Sequence, residues 1–398
     1  MIYWKIYIRL WKQEVVRVKI ATKILHTGNE ICEVTGAVCP PIHHASTFRQ
    51  LKADEFGPYD YARSGNPTRE ALENAIAFLE GGTAGFAFAS GMAAISSVFF
   101  TFSPGDHLVV CEDVYGGTYR VLTGLLQRFN IEATFVDFTN ADSIKAAIKP
   151  NTKALYIETP SNPLLKITDL RLVTAIAKAH ALLTIVDNTF LTPYLQRPIE
   201  LGVDIVIHSA TKYLGGHSDV LAGLVVVADQ GLAAKVKYVQ NSVGAVLGPQ
   251  DCWLIMRGIK TLKARMDLHQ QGAMKLAQWL SQCPEVKEVY FPGLPDHPGK
   301  EIHDSQSDGP GAIVTFRLKN ETIAKKVLES VKIPVFAVSL GAVESIISYP
   351  ITMSHAGMSL EHRLKVGVTG ELIRYSVGLE DPDDLINDLQ TAIRNAQI

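Results

Sequence analysis

Asp204-Ile-Val-Ile-His-Ser-Ala-Thr-Lys-Tyr-Leu-Gly-Gly-His-Ser-Asp219 is a stretch in two parts. Ile205 to Ile207 form a short apolar run without alternation, the pattern of a strand buried on both faces. The remainder is polar and glycine-bearing and carries Ser209, Thr211 and Lys212 just past the strand's end. In open α/β sheets that edge is where ligands bind. A lysine there is either an ordinary solvated side chain or, in a low-dielectric crevice, an amine that loses its proton and becomes nucleophilic. Ser209 and Thr211 offer hydroxyls to a phosphate on either side of it.

Working outward, apolar runs centred near residues 86, 109, 134, 155, 184, 206 and 224 alternate with helix-length segments. This pattern predicts an α/β fold around a mostly parallel seven-stranded sheet. Asp187 follows the run Leu182 to Val186, so it is a second chemical group at a strand end, with helix capping as its plainer role. Ala84 to Ala89 turns through Ser90, Gly91 and Met92 into an apolar helix. A strand, a small-residue turn and a helix start present unpaired N–H groups and a positive dipole end, which suits an anion. The segment Asp60 to Arg69 is a loop that enters a helix, with Asn66 placed to cap it and Pro67 at its first position. Leu72, Ala75, Ile76 and Leu79 continue that helix to Gly81-Gly82. Tyr61 and Arg63 stay on the loop, either solvated or reaching for a phosphate.

Past Gly248 the pattern becomes a long helical region over 250–282, then loops over 291–299 and 305–311 and strands over 312–318 and 346–349. The expected organisation is an N-terminal extension and arm over 1–62, a large domain over 63–250 and a smaller C-terminal α/β domain over 251–398. Residues 20–50 read as an extended arm. In its first residues the chain interleaves Trp4 and Trp11 with Lys5, Arg9, Lys12, Arg17 and Lys19, without the uninterrupted apolar core of a secretory signal. The segment reads as a surface-lying helix or, preferably, as an extension ahead of a functional chain that begins near Val18.

Composition narrows the function. At 398 residues the chain exceeds the size at which one core stops growing, so two domains are expected. A net charge of -2 and a pI near 6.6 provide no basic footprint for nucleic acid. The five cysteines (Cys32, Cys39, Cys111, Cys252, Cys283) are odd in number, widely spaced and free of C-x-x-C pairs. They indicate neither a disulfide framework nor a zinc site, and a reducing cytoplasm fits them best. No apolar run approaches the ~20 residues needed to span a bilayer. The strand-to-helix turn at Ser90 lacks G-x-G-x-x-G, no Walker loop is present, and the adjacent His43 and His44 point to opposite sides of an extended segment.

A strand-end lysine, a strand-end aspartate, an anion site, Tyr115 after a strand and Arg374 in a strand pattern together match the needs of pyridoxal 5'-phosphate. The amine holds the cofactor, the carboxylate keeps its ring nitrogen protonated, the aromatic ring covers its face, and the guanidinium fork suits a substrate carboxylate.

The ordered motifs Tyr61-x-Arg63-x-x-x-Pro67-Thr68, Ser90-Gly91-Met92-Ala93, Tyr115-Gly116-Gly117-Thr118, Glu158-Thr-Pro-Ser-Asn162-Pro, Val186-Asp187-Asn188-Thr189, His208-Ser-Ala-Thr-Lys212-Tyr, Ser339-Leu-Gly and Arg374-x-Ser376-x-Gly378 are similar to those of the Cys/Met-metabolism family of pyridoxal-phosphate enzymes. The resemblance runs from about Thr22 to the C-terminus and implies the fold-type I transferase-like architecture. It implies that Lys212 carries the cofactor and shuttles the proton, that Asp187 pairs with the ring nitrogen and that Tyr115 stacks on the ring. Gly91, Met92, Ser209 and Thr211 would hold the phosphate, with Tyr61 and Arg63 reaching the phosphate of a neighbouring subunit. Asn162, Ser339 and Arg374 would bind the substrate carboxylate or the cofactor's phenolic oxygen. By family habit the assembly would be a homotetramer, a dimer of dimers.

Within the family, Phe336-Ala-Val-Ser-Leu-Gly-Ala-Val-Glu-Ser345 and the neighbouring Met353-Ser-His355-Ala resemble the Gram-positive β-lyases that act on cystathionine. The resemblance implies β-elimination to homocysteine, pyruvate and ammonia, as in transsulfuration and methionine biosynthesis. Gly117 stands where methionine γ-lyases carry cysteine, and Val338 where many γ-acting members carry glutamate. γ-Elimination or γ-replacement is the alternative within the family, and a non-catalytic ligand-binding protein on the same fold the alternative outside it.

Overall fold

The computed structural model describes residues 18–28 and 35–397, so the expectations for residues 1–17, and Cys32, lie outside the described residues. Seven strands form the larger sheet: β1 (Ala84–Phe88), β2 (His107–Cys111), β3 (Glu132–Val136), β4 (Thr152–Glu158), β5 (Leu183–Asp187), β6 (Ile205–Ser209) and β7 (Gly223–Val227). Their spatial order is β1-β7-β6-β5-β4-β2-β3, and β7 runs antiparallel to both of its neighbours while the other adjacent pairs are parallel. The expected strands are all present. The unalternating apolar runs are explained by burial on both faces, which is complete along β2 and β7.

Because β1, β2, β4, β5 and β6 point the same way, their C-terminal ends lie along one edge. Glu158 on β4 is in register with Asp187 on β5, and Asp187 with Ile207 on β6. A second sheet holds β8 (Val286–Tyr290), β9 (Ile313–Leu318), β10 (Val335–Phe336), β11 (Ile346–Ser348) and β12 (Leu372–Ser376), in the order β10-β11-β12-β9-β8.

The helix Pro67–Glu80 begins and ends as its sequence requires. Asn66 accepts hydrogen bonds from the amides of Thr68 and Arg69, and Gly81 closes the helix in the left-handed conformation at φ 74°. β8 and β10 have no counterpart in the expected strands, and two other segments differ from expectation. Part of the arm read as extended is a helix, Ile20–His26, which buries Ile24 and packs against the helix Pro249–Lys260. The region read as one long helix is two, Pro249–Lys260 and Leu262–Ser281, separated at Thr261. Buried Arg265 stabilises the break, donating to the carbonyl of Gly258 at 2.8 Å and to Thr261 Oγ1 at 3.0 Å. Its remaining nitrogen donates to the carbonyl of Tyr213 at 2.7 Å, so the break also anchors the turn that carries Lys212.

Candidate active site

The helix Gly91–Phe99 follows β1 directly. Ser90 caps it, its hydroxyl accepting from the amide of Ala93 at 3.0 Å while its carbonyl accepts from Ala94. The amides of Gly91 and Met92 have no acceptor among the described residues, which leaves them at the positive end of the helix dipole. Ser209 lies alongside. A Cβ on residue 91 would come within 2.9 Å of both Cβ and Oγ of Ser209, so glycine is what lets β6 approach the helix start. Thr211 is nearby in sequence, but its hydroxyl accepts from the amide of Ala222 at 3.0 Å and faces its carbonyl at 3.3 Å. Ser209 therefore has the freer hydroxyl.

Lys212 sits in the turn after β6, its amide bonded to the carbonyl of Ser209. Its Nζ donates to Ser339 Oγ at 2.7 Å. Burial, helped by the charge of Arg374, lowers the lysine's pKa to about 8. Ser339 adopts φ 96°, a conformation that non-glycine residues rarely take. Its carbonyl accepts from Arg374 Nη2 at 2.9 Å, and Arg374 Nη1 donates to Asn162 Oδ1 at 2.8 Å. Arg374 belongs to β12, so the second sheet delivers its guanidinium to the edge of the first. Burial lowers the Arg374 pKa to about 10, and its Nε is buried without a partner, a donor that a carboxylate would satisfy.

Asp187 ends β5 and is buried. Its Oδ1 accepts from the amide and hydroxyl of Thr189, and Thr189 Oγ1 in turn accepts from the amide of Ser209 at 2.8 Å. Burial raises the carboxyl's pKa against the opposing pull of the Thr189 hydrogen bonds. Such a carboxylate is stabilised by any cation brought against it.

Tyr115 follows β2 as a residue 40% exposed, and its amide donates to Glu158 Oε2 at 2.8 Å. Glu158 is buried, and burial followed by the neighbouring Asp187 raises its pKa well above the usual carboxylate range. Glu158 stands in a quoted motif, but its bond to Tyr115 is a long-range contact that no local pattern signals. A Cβ on Gly117 would meet Tyr115 Cε1 at 2.4 Å and Met92 Sδ at 2.7 Å, so the Tyr115 ring occupies the space that a side chain there would need.

The structure thus links Lys212, Ser339, Arg374 and Asn162 through one chain of hydrogen bonds, and Asp187 to Ser209 through another. Tyr61 and Arg63 are not part of either. Both are exposed, the Arg63 guanidinium lies 5.6 Å from the Tyr61 ring centroid, and no hydrogen bond or ion pair joins them to the other site residues among those described. No His, Cys, Asp and Glu cluster suited to a metal ion occurs among the described residues, and no helix there is long and apolar enough to cross a membrane.

The model of the Cys/Met metabolism PLP-dependent enzymes matches residues 21–394, and this chain belongs to that family. Cystathionine β-lyase MetC of Bacillus subtilis (strain 168) is 57% identical over 375 residues, covering 94% of this chain and 96% of its own length. A cystathionine γ-lyase of the same organism is 53% identical over 377 residues, covering 95% of this chain and 100% of its own. The crystal structure of a cystathionine γ-lyase from Lactobacillus plantarum complexed with L-serine matches with a TM-score of 0.94 at 48% identity, over 96% of this chain and 100% of that one. The site fits pyridoxal 5'-phosphate on its own features: the side-chain-free approach at Gly91 beside unpaired amides, the buried Asp187 carboxyl and the lysine with a lowered pKa.

Proposed function

We propose that this protein is a cystathionine β-lyase, converting cystathionine and water to homocysteine, pyruvate and ammonia. The observation that carries the reading is the 2.7 Å contact of Lys212 Nζ with Ser339 Oγ, on the residue whose carbonyl holds Arg374. It sets a proton-accepting amine beside a carboxylate-binding fork, the pairing needed to remove a proton from the Cα of an α-amino acid. When bound, pyridoxal 5'-phosphate supplies an electron sink for the pair released from that C–H bond. Lys212 would hold the cofactor and then take the Cα proton, and Asp187 would keep the ring nitrogen charged. Tyr115 would cover the ring, Gly91, Met92, Ser209 and Thr211 would seat the phosphate, and Arg374 with Asn162 and Ser339 would orient the substrate carboxylate. The leaving group is homocysteine thiolate from Cβ.

Val338 supports β- over γ-elimination. It is 65% exposed beside Ser339 and uncharged, so it offers no ionic grip on the distal end of the substrate. γ-Elimination also needs a second proton abstraction, at Cβ, which β-elimination does not. The similarity to γ-lyases keeps γ-elimination, or the related γ-synthase reaction, as the second reading. Analysis of products from cystathionine tests the choice. Pyruvate and homocysteine are expected, and 2-oxobutyrate and cysteine would overturn the β-lyase reading.

We read the assembly as a homotetramer in which Tyr61 and Arg63 of one subunit reach the cofactor phosphate of its neighbour. Their exposure, with that of Val38, Leu51 and Phe56 in the same stretch of sequence, supports an interface through this segment of the chain. A cytoplasmic location is supported by the unpaired state of Cys39, Cys111, Cys252 and Cys283.

A further inference from the structure

Arg69 occupies the first turn of the helix Pro67–Glu80 and is only 2% exposed. Helix electrostatics disfavour a cation at that end, and burial disfavours it further, so its placement needs a compensating arrangement. That arrangement is specific. Nη1 donates to the carbonyl of Ala62 at 2.6 Å and Nη2 to the carbonyl of Arg63 at 3.0 Å. Behind the guanidinium, Glu73 Oε1 lies 3.5 Å from Nε and accepts from the amide of Ala87 on β1 and from Gln240 Nε2, both at 2.9 Å. The amide of Ala62 is fixed from the other side by the carbonyl of Ser46. The two peptide groups that flank Arg63 are therefore tied, through one buried fork, to the strand leading to the Gly91 helix, while the Tyr61 and Arg63 side chains remain exposed.

We propose that Arg69 is a positioning residue for phosphate recognition, holding the loop so that Tyr61 and Arg63 are presented outward in a set orientation. The proposal rests on the reading of these two residues as phosphate contacts. A planar fork spanning consecutive carbonyls is something a lysine cannot reproduce.

The test is titration of the full-length apoprotein with pyridoxal 5'-phosphate and, separately, with pyridoxal, which lacks the phosphate. R69Q is expected to weaken pyridoxal-phosphate binding about tenfold, the loss of roughly one charge-assisted hydrogen bond, and to leave pyridoxal binding unchanged. R69K should show the same selectivity to a smaller degree, which keeps the test usable if R69Q folds poorly. Combined with the double variant Y61F/R63A, R69Q should add nothing, because Arg69 acts through those two side chains. Equal weakening of both ligands, full additivity with Y61F/R63A, or unchanged pyridoxal-phosphate binding would each overturn the proposal. If R63A itself leaves phosphate-dependent binding intact, the underlying assignment of Arg63 fails and the role of Arg69 fails with it.

Discussion

The Lys212 cluster and the Tyr61–Arg63 loop both carry cationic and hydroxyl groups, yet they satisfy them in opposite ways. Arg374 is buried, and its two terminal nitrogens are taken by Asn162 and by the carbonyl of Ser339, within one chain. Arg63 is exposed and, among the described residues, its guanidinium lies beside the Tyr61 ring without a hydrogen bond or ion pair, although its backbone is gripped by Arg69. The interior cluster is preorganised, with desolvation already expended in folding, so its groups act on whatever enters. In the loop the hydrogen bonds hold the main chain and the short side chains of Asp60 and Ser64, while the Tyr61 and Arg63 side chains stay exposed. One region is satisfied within one chain; on the proposed shared-site reading, the other meets its anion on a second subunit.

The largest expected effect bears on the interior. Lys212→Ala should reduce turnover by ~10³-fold or more, the scale of a lost general base, with little change in thermal stability. Retained activity in that variant would remove the lysine from its assigned role. Arg374→Ala should lower kcat/KM by about 10²-fold, because in the proposed role the substrate carboxylate would lose its fork, and Asn162 Oδ1 and the Ser339 carbonyl lose a donor. Steady-state kinetics check it, and a change confined to thermal stability would make Arg374 a structural residue only.

A smaller effect follows from the lowered pKa of Lys212. In its proposed role Lys212 would act on the cofactor as the neutral amine, and that form predominates above pH 8. The rate of cofactor uptake by the apoprotein should therefore rise about tenfold from pH 7 to pH 9, levelling above the midpoint. Arg374→Ala should move the midpoint upward, since a nearby positive charge disfavours protonated lysine. A profile still climbing past pH 10 would mean that burial does not act on this amine. The smallest effect is that of Gly117→Cys, where the new Cβ must displace the Tyr115 ring or Met92 Sδ. A loss in kcat/KM of about threefold is expected from a ring shifted off its contact, and unchanged kinetics would show that the ring position is not needed.

Much of this is legible in the sequence where local sequence and local physics coincide. Ile205 to Ile207 and the other apolar runs announce strands because burial on both faces leaves no polar positions. Asn66-Pro67 announces a helix start because cap and first turn are neighbours. The helix Ile20–His26 is short, with Ile24 as its only buried residue, too little for a periodic signal. β8 is hidden because Lys287 and Glu288 are exposed along it. The Glu158–Tyr115 bond and the Arg69 fork are products of tertiary packing, and in sequence Glu158 is simply a charged residue inside a motif and Arg69 one just past the end of another.

The contrast between the two regions is tested most directly by subunit mixing. Arg63→Ala protein and Lys212→Ala protein, each inactive at limiting cofactor, are combined under conditions where exchange is verified by mass spectrometry. In a hybrid dimer, one site has Lys212 from one chain and Arg63 from the other, so the mixture should recover up to about a quarter of wild-type activity for a two-fold symmetric pair. No recovery despite confirmed exchange would contradict a site completed by a neighbouring subunit.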